Sequence, residues 1–235
     1  MKALLLAAGF GTRLKPITNN IPKCLVPING RPLLDIWLEK LTQVGINSFL
    51  INMHYLAENV ESYIKDSPYS SKVLLVHEPN LLGTAGTLLR NINYFEGDEA
   101  LVLHADNYSE DDISGLIRAH KNRPPHCEMT MMIFKSNTPS ACGVVVLDTD
   151  GVVTEFYEKI ENPPSNLANG AIYILSRQLL IKIKYKYQDA IEFSTDILPH
   201  LVGKIYTYET SKIFLDIGTT ENYERANKLA SININ

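Results

Sequence analysis

A handful of residues in this 235-residue chain have the types and settings needed to handle phosphate. Gly9 and Gly11 follow the uncharged run Ala3 to Ala8. With no Cβ in the way, their backbone can approach an anion and point N–H groups at it. Arg13 adds a planar fork and Lys23 a point charge, both suited to phosphate oxygens. Asp106 follows the apolar stretch Ala100 to His104. A carboxylate at the mouth of a buried strand suits a hard cation such as magnesium, which takes carboxylate and water oxygen. Asp216 repeats that setting after Ile213, Phe214 and Leu215, with Gly218 and Thr219 following.

The elements that must position these residues follow from the hydrophobic pattern. Ala3 to Ala8 reads as a central parallel strand ending in a tight turn, the place where open α/β sheets take ligands. A glycine pair after a strand is common, and it also resembles a dinucleotide turn. That turn needs a third glycine and a helix directly after it. Here Arg13 stands near the third position, and Pro16, Pro22 and Pro27 break any helix. The loop is therefore long, stiff and basic, which excludes a dinucleotide-dependent oxidoreductase.

Leu34, Trp37, Leu38, Leu41 and Val44 fall at helical spacing between Pro32 and Val44, with Gly45 as the stop. Ser48 to Met53 reads as the next strand, Leu56 to Lys65 as a helix and Lys72 to His77 as a third strand. This β-loop-α-β-α rhythm predicts a parallel sheet with right-handed crossovers. Gly83 and Gly86 mark a helix start, with Thr84 or Thr87 available for capping or ligand contact. Later strands are predicted at Glu128 to Phe134, at Ala141 to Val146 and from Ile213 with Asp216 at its end, and helices from about Ile113 and Glu221. Asp148-Thr149-Asp150-Gly151 looks like the start of a calcium loop but lacks the later ligands, and reads as a hairpin turn. Glu110, Asp111 and Asp112 read as acids complementing a helix start, not as a metal site. His54 and Tyr55 have no carboxylate or nucleophile nearby in sequence and read as structural.

With 45% hydrophobic residues the chain can bury the core of one α/β domain. Its net charge of −4 argues against a broadly basic, nucleic-acid-binding surface. Cys24, Cys127 and Cys142 are odd in number and widely spaced, as expected of reduced packing residues, with no zinc site. Gly9 and Arg13 end the first apolar run too early for a membrane span or a secretion signal. A soluble, cytoplasmic protein is expected.

LAAGFGTRLKPIT at positions 6–18, followed by PKCLVPINGRPLL at 22–34, resembles the signature of the sugar-1-phosphate nucleotidyltransferases. Further stretches extend the resemblance over nearly the whole chain. It implies an α/β fold, a three-layer Rossmann-like mixed sheet of the nucleotide-diphospho-sugar transferase (glycosyltransferase A-like) type. One domain would span 1–235, with a nucleotide-binding half over about 1–125 and a sugar-phosphate half over about 126–235. Some relatives continue into a left-handed β-helix, and no hexapeptide repeat is present here.

The implied reaction is magnesium-dependent transfer of a nucleotidyl group from a nucleoside triphosphate to a sugar 1-phosphate, releasing pyrophosphate, as in cell-surface polysaccharide biosynthesis. The resemblance assigns Leu6, Ala7, Ala8, Gly9, Gly11, Thr12, Arg13 and Lys23 to the nucleotide, with Glu78 and Gly83 at the base. Arg13, Lys23, Asp106 and Asp216 would be catalytic, the two aspartates holding magnesium. Asp106, Gly143, Glu158, Lys159 and Asn169 would meet the sugar phosphate, Lys159 at its phosphate and Glu158 at a hydroxyl. Relatives often have glycine at the position of Ala105, and often place the glycine of the Asn169-Gly170-Ala171 stretch one residue later. Phe193 to Pro199 resembles a segment that supports the fold without chemistry.

Glu78 bears on the base. A carboxylate offers two acceptors, matching the N1–H and N2 amino donors of guanine, whereas thymine and uracil present one donor between two carbonyls. A solvated loop residue before Pro79 is the other reading, and the residues leave both open. The favoured partners are GTP and a mannose- or heptose-like sugar 1-phosphate, with no nucleic acid or membrane and with a homodimer admitted. Uridylyl or thymidylyl transfer, cytidylyl transfer to an alcohol phosphate, and a catalytically silent nucleotide-sugar-binding regulator are the alternatives.

Overall fold

The computed structural model describes residues 1–232. In chain order the strands are β1 (Lys2–Leu6), β2 (Pro27–Ile28), β3 (Arg31–Pro32), β4 (Phe49–Met53), β5 (Val73–His77), β6 (Ala100–His104) and β7 (Asn107–Ser109). They continue as β8 (Met129–Lys135), β9 (Gly143–Leu147), β10 (Val153–Glu158), β11 (Leu167–Leu175), β12 (Ile205–Glu209) and β13 (Phe214–Asp216). The helices are α1 (Leu33–Gln43), α2 (Ala57–Lys65), α3 (Gly83–Arg90), α4 (Ser114–Lys121), α5 (Arg177–Lys186) and α6 (Thr220–Ile232). Among the described residues no helix is long and apolar enough to cross a membrane.

The chain forms two compact units, one built from 3–81, 104–112 and the stretch from Lys212 onward, the other from 1–2, 82–103 and 113–211. In the first unit β1, β4 and β5 form a parallel sheet, with Leu4 opposite Leu50 and Leu50 opposite Leu74. Every residue of β4 is buried, so its run is apolar apart from Asn52. Helix α1 buries Leu33, Leu34, Trp37, Leu38 and Leu41, the stripe its spacing predicts. It stops at Gln43, and Gly45 takes the left-handed turn (φ 87°). The Trp37 indole N–H donates to the Asn107 carbonyl at 2.7 Å, tying α1 to β7. The proline-rich loop contains only short 3₁₀ turns, at Thr12–Leu14, Ile17–Asn19 and Lys23–Leu25.

The expected strand ending at Asp216 is present as β13, three residues long, which pairs antiparallel with β7 in a separate two-stranded ribbon. An apolar run signals burial, and here that burial lies beneath a ribbon.

The second unit is centred on β11, which runs antiparallel to β6 and β8 and meets β9 at Ala168. Strand β10 adds antiparallel to β9, and β12 adds parallel to β8. The sheet pairing is therefore mixed. The Asp148 carboxylate accepts N–H bonds from Asp150 and Val152 at 2.9 Å, which makes the β9–β10 connection a turn, as predicted. Ser176 caps α5, its hydroxyl accepting from the Leu179 N–H at 3.1 Å. Helix α4 begins at Ser114 with no acid in its first turn. The acids ahead of it lie instead near Lys40, whose ammonium donates to the Asp111 carbonyl at 2.9 Å.

Candidate active site

The glycine loop leaves β1 under tight control. The Ala105 N–H donates to the Leu6 carbonyl at 2.9 Å, and the Ala7 N–H donates to Asn52 Oδ1 at 2.8 Å. Asn52 in turn donates through Nδ2 to Glu78 Oε1 at 3.0 Å. Sequence reasoning passed over Asn52, although a polar residue inside a buried apolar strand was the signal that could have found it. Glu78 is only 3% exposed, which overturns its reading as a solvated loop residue. Its N–H is bonded to the Met53 carbonyl at 2.8 Å, and the amide of Asn52 offsets part of the cost of burying the carboxylate. His54 Nδ1 lies 2.7 Å from the Glu78 carbonyl and helps fix that residue, and the Tyr55 hydroxyl donates to the Thr18 and Asn19 carbonyls and braces the glycine loop.

Gly11 sits in the left-handed region (φ 63°), and a Cβ there would stand 2.9 Å from the Thr18 methyl. The Thr18 hydroxyl donates to the Gly11 carbonyl at 2.7 Å. At Gly9, among the described residues, nothing beyond its two chain neighbours lies within 4 Å of a Cβ position. Packing does not demand a glycine at that point, and its open side leaves room for a ligand.

Lys23 is buried on the 3₁₀ turn at the far end of this loop. Its ammonium lies 2.7 Å from Asp106 Oδ2 and 3.0 Å from Asp216 Oδ1. The ribbon explains how aspartates so distant in sequence meet, because Asp216 is paired with Asn107, the neighbour of Asp106. Asp216 Oδ1 also accepts the Gly218 N–H at 2.8 Å, and Oδ2 lies 3.3 Å from Arg13 Nη2. A Cβ at Gly218 would stand 2.7 Å from Arg13 Nη2 and 2.9 Å from Asp216 Oδ1. A side chain here would crowd this contact and displace the end of the flexible Arg13 side chain.

Two carboxylates and two cations make this cluster neutral. Burial pushes the Lys23 ammonium toward deprotonation, but Asp106 and Asp216 outweigh it and its pKa is raised. Burial likewise raises the Asp216 carboxyl, yet Lys23, Arg13 and the Gly218 N–H hold it below the ordinary range. The neighbouring Cys24 thiol is pushed up to about 12, chiefly by burial, and is inert. Among the described residues no group of three or more His, Cys, Asp or Glu is arranged to hold a metal. The donors at hand, two carboxylates, fit magnesium, which binds through one or two carboxylates and completes its shell with water and phosphate oxygen.

The predicted site residues fall in both units. Leu6, Ala7, Ala8, Gly9, Gly11, Thr12, Arg13, Lys23, Glu78, Asp106 and Asp216 belong to the first, and Gly83, Gly143, Glu158, Lys159 and Asn169 to the second. Within the second, Glu158 is paired with Gly143 across β10 and β9, and Ala168, next to Asn169, pairs with Val144. A Cβ at Gly143 would stand 2.7 Å from Glu158 Oε2, so the glycine makes room for that carboxylate. The Lys159 ammonium is largely exposed, 3.5 Å from Glu158 Oε1. Asn169 donates to the Tyr173 hydroxyl at 2.7 Å and accepts the Ala171 N–H at 2.9 Å, where the register of β11 slips. Gly83 opens α3 at φ 76° and packs against the Ile191 carbonyl.

The nucleotidyl transferase family profile matches residues 2–231. The chain is 30% identical to the mannose-1-phosphate guanylyltransferase catalytic subunit beta of Xenopus tropicalis, over 95% of its own length and 62% of that protein's. It is also 30% identical to a UTP–glucose-1-phosphate uridylyltransferase of Synechocystis, over 96% of its own length and again 62% of that protein's. The chain thus spans less than two thirds of these curated relatives. Among solved structures, HddC from Yersinia pseudotuberculosis complexed with GMP-PN superposes with a TM-score of 0.80 at 30% identity, covering 97% of this chain and 99% of that one.

Proposed function

The chain belongs to the nucleotidyl transferase family, and from that premise we propose that it transfers a nucleotidyl group, with GTP as the favoured donor, to a mannose- or heptose-like sugar 1-phosphate. The observation that carries this reading is the meeting of Lys23 with Asp106 and Asp216, with Arg13 on the same carboxylate as Lys23. A phosphate oxygen of the sugar 1-phosphate attacks the α-phosphorus, the bond to the β-phosphate oxygen breaks, and pyrophosphate leaves with the electron pair. The nucleophile is already anionic near neutral pH, so no general base is required. The difficulty lies in assembling negative charges, and catalysis becomes positioning and charge neutralisation.

In this reading the Gly9–Gly11 turn offers backbone N–H groups to phosphate, Arg13 steadies the departing pyrophosphate, and Lys23 offsets charge near the α-phosphate. Lys159 holds the sugar phosphate and Glu158 and Asn169 the sugar hydroxyls. Asp106 and Asp216 would hold magnesium, which when bound supplies further charge neutralisation to the phosphates. Glu78, fixed by Asn52 at 3.0 Å, is the proposed reader of guanine. The likeness to HddC carrying GMP-PN supports a guanine nucleotide, while the uridylyltransferase relative keeps UTP as the second donor.

The test is pyrophosphate release with magnesium, crossing GTP, UTP, dTTP, CTP and ATP with mannose, heptose, glucose and glucosamine 1-phosphates. Turnover confined to GTP is expected. Turnover with UTP or dTTP alone keeps the reaction and removes Glu78 as guanine reader. Nucleotide binding without any turnover would replace the enzyme with a nucleotide-sugar-binding regulator.

A further inference from the structure

We propose that Lys23 is an internal counter-ion that keeps a divalent cation off Asp106 and Asp216 until a nucleotide draws its ammonium away, so that metal and nucleotide enter together. The inference rests on the proposed nucleotidyl transfer at this site and adds an order of events to it.

One ammonium serves both carboxylates, at 2.7 Å and 3.0 Å, and its side chain is only 7% exposed. It therefore occupies one oxygen of each carboxylate that would hold a divalent cation. Arg13 lies 3.3 Å from the other oxygen of Asp216, so the pair of carboxylates faces an equal number of positive charges. A bare divalent cation gains little from a cluster already neutral. It would have to break the bonds of Lys23 and leave a protonated amine beside a doubly charged ion.

A nucleoside triphosphate changes this balance. Its phosphate oxygens give the ammonium new partners, and the released carboxylates can then take the cation that the phosphates bring. The backbone of Lys23 stays fixed on its turn, the Leu25 N–H donating to the Pro22 carbonyl at 2.8 Å and the Val26 N–H to the Lys23 carbonyl at 3.2 Å. Only the flexible side chain has to swing.

The probe is Mn²⁺, followed by water-proton relaxation, which is enhanced when the protein holds the ion. Wild type, Lys23→Gln and Lys23→Arg are titrated with Mn²⁺ alone, then with Mn²⁺ plus GTP or UTP and no sugar phosphate. The expected result is enhancement only with nucleotide for wild type and Lys23→Arg, and at least tenfold tighter binding of Mn²⁺ alone by Lys23→Gln. Equal affinity of wild type and Lys23→Gln for Mn²⁺ alone overturns the inference, as does Lys23→Arg behaving like Lys23→Gln. With nucleotide-dependent enhancement intact, such a result leaves the transferase reading standing. No enhancement in wild type with either nucleotide overturns both. Should Lys23→Gln unfold, its Tm is the second readout. Rescue by Mn²⁺ that leaves wild type unmoved supports the exchange, and no rescue overturns it.

Discussion

Arg13 and Lys23 carry the same charge, but the fold asks different things of them. Lys23 is enclosed between two carboxylates, whereas the Arg13 side chain is 67% exposed and touches Asp216 at 3.3 Å. An exposed pair of that kind contributes little to stability. Arg13→Ala is therefore expected to leave the urea midpoint unchanged while lowering turnover about a hundredfold, as the loss of a preorganised charge donor does. Pyrophosphate release would measure it, and near-normal turnover would remove Arg13 from the reaction. A second single-residue effect lies at Ala171, a non-glycine residue at φ 51°. An L-residue held left-handed costs roughly 1–2 kcal/mol, part of which glycine would return as greater unfolded-state entropy. Ala171→Gly is expected to stabilise by about 0.5–1 kcal/mol, read as a higher urea midpoint. A lower midpoint would show that Asn169 Oδ1, accepting the Ala171 N–H at 2.9 Å, already relieves the strain. Gly170, one position earlier, does not take this conformation.

At the scale of elements, the start of α3 is held by a segment about a hundred residues away. The Ala85 and Gly86 N–H groups donate to the Ile191 carbonyl at 2.9 and 3.2 Å, and the Thr84 hydroxyl donates to Glu192 at 2.8 Å and accepts the Phe193 N–H at 2.7 Å. Gly83 is left-handed, and a Cβ there would run into the Ile191 carbonyl. Gly83→Ala combines a left-handed L-residue with a clash against backbone, an expected loss of roughly 2–4 kcal/mol. Unfolding by urea would show it, and a loss under 1 kcal/mol would mean that the 189–197 segment yields. The glycine pair was legible in the sequence as a helix start, and β1, β4 and β5 were legible as apolar runs between helical stripes. The clamp was not, because nothing in Phe193 to Pro199 names its partner. The pairing within the ribbon escaped for the same reason: β13 was legible as an apolar strand, but β7 is too short to register and nothing in β13 names it, yet their pairing brings Asp106 and Asp216 onto Lys23. Local pattern reports burial and local geometry, and long-range pairing is decided by tertiary packing.

For the whole molecule, the pH dependence of stability turns on a buried histidine. His120 on α4 is 1% exposed, shares a hydrogen bond with the Thr130 hydroxyl at 2.9 Å, and has Nε2 3.3 Å from Glu99 without hydrogen-bond geometry. Burial first, and then the charge of Arg123, lower its pKa to about 4 against the opposing pull of Glu99. The unfolded chain, with an ordinary histidine near 6.5, therefore binds more protons across the interval between these values. Stability contributed by the neutral ring is present in full above pH 6.5 and is lost as pH falls toward 4, by roughly 2 kcal/mol at pH 5. That is a large share of a typical 5–15 kcal/mol domain. Carboxyls held below their ordinary range, such as Glu128 beside Lys182 and Lys204, lose their contribution only at lower pH. The two effects therefore separate in pH. Urea unfolding at pH 7, 6 and 5 should show wild type weakening and His120→Gln weakening less, the difference between the two curves growing by roughly 2 kcal/mol over that span. Parallel curves would mean that His120 takes up its proton in the folded state and pairs with Glu99.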